Sequence, residues 1–90
     1  MPTPYLAGVT DFYTFCLLAQ PAQLAVTYAE GDHMASRCTE QGLAVLLYHL
    51  PAGYFVELWY EPLLNEVVEV KCFVKGRPLE PWAELVTLPE

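Results

Sequence analysis

The stretch Thr39–Val74, TEQGLAVLLYHLPAGYFVELWYEPLLNEVVEVKCFV, carries three hydrophobic runs divided by short breaks, and its reading decides the fold. Tyr54 to Tyr60 is dense in aromatic and β-branched residues, and Val67 to Val74 sets Glu69 and Lys71 two positions apart. A two-residue period puts successive side chains on opposite faces of a strand. The breaks Glu40-Gln41-Gly42 and Pro51-Ala52-Gly53 suit three-residue hairpin loops, in which a type I turn is closed by glycine in the left-handed region. Pro51 sits where a φ of about −65° is wanted, and each glycine sits where a Cβ would clash.

These loops set a register. Thr39 is expected opposite Leu43, Arg37 opposite Val45, Leu50 opposite Tyr54 and Leu47 opposite Glu57. At the third turn, Pro62-Leu63-Leu64-Asn65-Glu66, pairing Glu57 with Lys71 avoids setting it against Glu69. Parity then assigns the faces. Met34, Ser36, Cys38, Leu46, Tyr48, Leu50, Val56, Leu58, Val70 and Cys72 form the expected core face. His33, Arg37, Val45, Leu47, His49, Phe55, Glu57, Trp59, Glu69, Lys71 and Phe73 form the outer one.

Outside this block the chain is short. Residues 1–10 contain Pro2, Pro4 and Gly8 and read as an extended arm whose Tyr5, Leu6 and Val9 pack on the domain. Residues 11–88 form one α+β domain. Asp11 is placed to cap a first helix through Ala19 with the stripe Phe12, Phe15, Cys16 and Ala19, although the β-rich composition of FYTF admits a strand as the alternative. Pro21 breaks that segment and starts a second helix to about Glu30. Its stripe is expected at Leu24, Ala25 and Tyr28, with Gln23 and Thr27 facing out and Gly31 as the stop. Asp32 to Thr39 supplies another strand, giving a four-stranded antiparallel meander. Pro81 opens a short C-terminal helix through Val86, with Trp82, Leu85 and Val86 buried.

Composition excludes several functions. Eleven acidic residues face four Lys and Arg, for a net charge of −7 over 90 residues, and no Lys or Arg precedes Arg37. Phosphate neutralisation needs clustered basic residues, so neither nucleic acid nor an anionic membrane is an expected partner. The uncharged run Phe12 to Ala29 contains Gln20, Pro21 and Gln23 and lacks a basic flank, which argues against a spanning helix and a signal peptide. Cys16, Cys38 and Cys72 show no metal-binding or redox spacing, and buried reduced thiols in a cytoplasmic protein are the expectation.

No nucleophile–histidine or phosphate-loop motif is present, so an enzyme is not expected and no cofactor is implied. The inferred register sets His33 and His49 opposite one another, a weak candidate pair for zinc or copper that lacks an obvious third ligand. Glu57, Glu69, Lys71 and Arg37 share a face and read as cross-strand charge pairs, with Arg37 over the ring of Trp59. Hydrophobic residues make up 54 % of the chain, more than one sheet face and a few helices need. The excess gathers as Val45, Leu47, Phe55, Trp59 and Phe73 with Arg37 beside them, a composition that anchors interfaces. The function expected is a non-enzymatic protein–protein interaction module, a homodimer or an accessory subunit of another protein. The alternative is a small-molecule or metal-binding protein using the face around His33, His49 and Glu57. An acidic mimic of nucleic acid is a weaker third reading, because the acidic residues are scattered.

The pattern LYHLPAGYFVELWY, then NEVVEVKCF, then LEPW resembles a group of small acidic uncharacterised bacterial proteins with a similar strand, Asn-Glu turn and Leu-Glu-Pro-aromatic ending. The likeness covers residues 21 to 86, and the Pro51-Ala52-Gly53 turn is longer than the group's. It implies a bacterial, cytoplasmic, single-domain protein and carries over no activity or site residue.

Overall fold

The computed structural model describes residues 9–75 and 77–82. Helices α1 (Phe12–Leu17) and α2 (Gln20–Glu30) precede strands β1 (Asp32–Cys38), β2 (Ala44–His49), β3 (Phe55–Glu61) and β4 (Glu66–Phe73), and a 3-10 helix follows at Arg77–Trp82. The strands form one antiparallel sheet in the order β1-β2-β3-β4. This is the expected α+β meander. At the C-terminus, where a helix was expected from Pro81, the described part is the 3-10 helix; residues 83–86 of that expectation lie outside the described residues, as do residues 1–8 of the arm.

The turns close as their glycines require. Gly42 and Gly53 adopt φ of 88° and 97°, and their amides donate to the Thr39 and Leu50 carbonyls at 3.0 and 2.9 Å. The pairings Arg37–Val45, Leu47–Glu57 and Glu57–Lys71 follow. At the third turn Asn65 takes the left-handed conformation, with φ 55°, and its side-chain oxygen accepts from the Tyr60 hydroxyl.

Two bulges depart from simple alternation. In β1 the ladder shifts between His33 and Ala35, so His33 lies opposite Tyr48 and Asp32 opposite His49. An extra residue in one strand inverts the parity of everything before it. Met34 therefore leaves the expected core face and packs with the outer cluster, while His33 stacks edge-on against Tyr48 at 5.4 Å. A second shift lies opposite Trp59 and Tyr60 in β4.

The helices cover the expected core face. Phe15 joins Leu50, Tyr54, Val56 and Leu58 in one buried cluster, with Phe12, Leu24 and Val26 packed against it. Asp11 caps α1, accepting from the Thr14 amide at 2.7 Å, and Pro21 lies in the first turn of α2. The buried face of α2 is rotated from the one expected: Leu24 packs on the core as predicted, but Thr27 is fully buried while Ala25 and Tyr28 are exposed. Thr27 Oγ1 donates to the Gln23 carbonyl at 2.8 Å, which satisfies the hydroxyl within the helix and lets its methyl group face the core. Gln23 is also turned inward, donating its amide to the Phe15 carbonyl at 3.1 Å and so tying α2 to α1. Glycine is needed at 31 for close approach, since a Cβ there would lie 2.7 Å from the Thr27 carbonyl oxygen and 3.3 Å from Tyr48. Thr10 is held by the Glu30 carboxylate through its amide and hydroxyl, both at 2.8 Å, and its carbonyl accepts from the Tyr54 hydroxyl at 2.7 Å.

The outer face has its own buried cluster, Val45, Leu47, Phe55, Phe73 and Trp82. The cysteines are free, but Cys16 and Cys38 are exposed and Cys72 is half-buried, contrary to the expectation of buried thiols. The six-residue α1 buries only Phe15 fully and leaves Cys16 at the surface, and Cys38 ends an edge strand.

Burial first, then the Glu30 carboxylate, raises the pKa of Tyr54, and burial raises that of Tyr48. Burial, with the hydrogen bond to Cys16 second, pushes the Cys72 thiol up to about 12. An acid whose folded pKa exceeds its unfolded value contributes stability that is complete below the unfolded pKa and is lost as pH rises through the folded one. The unfolded values here are 9.0 for Cys72 and 10.0 for the tyrosines. Urea unfolding should show stability falling from about pH 9 upward, and Tyr54→Phe should make the decline above about pH 10 shallower. An unchanged slope in that variant would contradict the assignment.

Candidate interaction site

The alternation of β3 sends Phe55, Glu57 and Trp59 to the outer face, where Leu47 flanks Glu57 on one side and Lys71 on the other. Glu57 is only 4 % exposed. An unpartnered carboxylate there would cost several kcal/mol. Instead the indole of Trp59, two residues along the strand, donates to Oε1 at 3.0 Å, and the indole of Trp82 donates to Oε2 at 2.7 Å. Hydrogen bonds to a charged acceptor contribute about 1.5–3 kcal/mol each, so the pair offsets much of the desolvation.

Two cations lie on these rings. The Arg37 guanidinium carbon is 5.5 Å from the Trp59 ring centre and 5.1 Å from that of Trp82, while Lys71 Nζ is 4.4 Å from Trp59. Arg37 Nε is buried and has no hydrogen-bond partner among the described residues. Beside this layer lies an open cavity of about 450 Å³ lined by Arg37, Glu57, Trp59, Lys71, Phe73 and Pro81.

Of the patch read from the sequence, Val45 and Leu47 are fully buried, and Phe55 and Phe73 stack on one another at 5.8 Å beneath the surface. Trp59 and Arg37 are the members that remain half-buried at the edge of the cavity. The Arg37–Trp59 stack was expected; the use of Glu57 was not, since it is met by indoles where cross-strand charge pairing was anticipated. Lys71 lies opposite Glu57 as the register predicts, but its place over the Trp59 ring was not expected, and neither was any part for Trp82 in the site. The Leu-Glu-Pro-Trp ending was the only available signal, and it has no period that would aim the indole.

The histidines are not brought together. The β1 bulge turns His33 to the helix-covered face, where Nε2 lies 2.9 Å from Ser36 Oγ, whereas His49 stacks against Phe55 at 4.8 Å on the outer face. No group of three or more metal-ligating side chains occurs among the described residues. No family model, curated protein or solved structure matches the chain.

Glu57→Gln keeps the shape but replaces one acceptor with an NH₂ facing an indole donor. It should lower stability by about 1–3 kcal/mol and shift tryptophan emission. Unfolding and emission indistinguishable from wild type would show that the carboxylate is not held by the two indoles.

Proposed function

We propose that the protein is a non-enzymatic interaction module, a homodimer or an accessory subunit, that docks through the surface centred on Trp59. One observation carries this reading: on a chain of net charge −7, two of its four Lys and Arg residues converge on a single indole. Half-exposed Trp with Arg beside it is the composition of an interface anchor, and the apolar residues beneath it supply a rigid base. The matching partner surface is one that presents carboxylates to Arg37 and Lys71.

The bacterial, cytoplasmic setting implied by the resemblance belongs to the same proposal. Free thiols at Cys16, Cys38 and Cys72 support a reducing compartment. Among the described residues no helix is long and apolar enough to cross a membrane.

A second reading is favoured by the cavity, whose size is that of a small-molecule site. An anionic ligand would lie against Arg37 and Lys71 there, above Trp59. His33, on the other face, has no part in it.

Light scattering over a concentration series tests the homodimer form. Wild type should approach twice the monomer mass, and Lys71→Ala should weaken association by about tenfold or more while changing stability by less than about 1 kcal/mol. A chain that stays monomeric to millimolar concentration removes the homodimer. The accessory-subunit form then predicts a protein from the native host that is captured by wild type and lost with Lys71→Glu. Identical captured sets would contradict it.

A further inference from the structure

We infer that Cys16 and Cys72 are a thiol oxidation site that closes to a reversible intramolecular disulfide, with a low-molecular-weight disulfide as oxidant. The two Sγ atoms lie 3.4 Å apart although 55 residues separate them in sequence, and the contact joins α1 to β4. A disulfide spans about 2.05 Å between sulfurs, so closure needs an approach of about 1.4 Å. The carrier is suited to that movement, because α1 is a six-residue helix with one fully buried side chain, Phe15. Cys38 lies on β1, at the opposite edge of the sheet from β4 and off Cys72's register, more than about 14 Å away by the three strand spacings alone, and it cannot substitute.

The two thiols have different roles. Cys16 is exposed and is the one a soluble oxidant reaches first. Its thiolate attacks one sulfur of the oxidant, forming a mixed disulfide at Cys16 and releasing the other half as a thiolate. Cys72 then attacks the Cys16 sulfur, losing its proton to the second leaving thiolate. The balance is two protein thiols and one small disulfide to one protein disulfide and two small thiols, with two electrons passing to the oxidant. Burial first, and the hydrogen bond with Cys16 second, hold Cys72 protonated, which leaves the first attack to the exposed Cys16. In a reducing compartment both remain thiols.

The test uses the full chain with oxidised and reduced glutathione in varied ratio, followed by thiol alkylation and intact-mass analysis. Oxidation should remove two hydrogens and leave one alkylatable thiol, mapped by peptide analysis to Cys38. Cys38→Ser should still close. Cys72→Ser should stop with glutathione on Cys16. Closing a loop of this length should raise the melting temperature of oxidised Cys38→Ser by on the order of 10 °C over its reduced form, with no such rise in Cys72→Ser. Glutathione adducts at Cys16 in wild type with Cys72 still alkylatable, or only Cys38-linked dimers, would overturn the inference.

Discussion

The carboxylate of Glu57, buried under two indoles, is the interaction on which the outer half of the molecule depends. A strand residue at that point on the sheet would ordinarily be apolar, like Leu47 beside it. A charge buried there demands donors, and the two it finds come from within its own strand and from the far end of the chain. The second bond brings Trp82 onto a sheet face that would otherwise expose Val45, Leu47 and Phe55. Edge and face hydrophobics left open in this way promote aggregation. Meeting one buried charge therefore also closes an apolar surface. The bonds also aim the Trp59 ring so that its π face receives Lys71 and Arg37.

Much of the sheet could be read from residues alone, and the reason is local. Gly42 and Gly53 mark positions of positive φ, and once these turns are placed a two-residue period carries the register through β2 and β3, while the pairing of Glu57 with Lys71 extends it to Glu69–Phe73 of β4. The bulge at Met34 could not be read in the same way. One extra residue leaves no compositional mark, and it moved His33 to the other face, dissolving the histidine pair. The face of α2 was misread because threonine was counted as polar, whereas Thr27 closes its hydroxyl on Gln23 and behaves as an apolar residue. In the candidate site, Arg37 over Trp59 followed from register, but Trp82 could not be placed by any pattern because it follows a loop and is held by a tertiary hydrogen bond.

The two faces of the sheet have different uses. The helix-covered face holds Tyr48 and Tyr54, the Thr10–Glu30 ties and the thiol contact. The outer face carries the basic spot on an acidic chain. An acidic surface keeps a hydrophobic small protein apart from its copies and from other anions, so a local pair of cations gives directional recognition of carboxylates against a repulsive background.

The central claim is that Glu57 is held by both indoles, and hydrogen exchange followed by two-dimensional NMR of the indole protons measures this directly. The account predicts that the Trp82 indole proton is shifted from the free-indole position and exchanges as slowly as the amides of central strand β3, because its partner is buried. A Trp82 indole proton at the free position, exchanging at the rate of an exposed side chain, would contradict it.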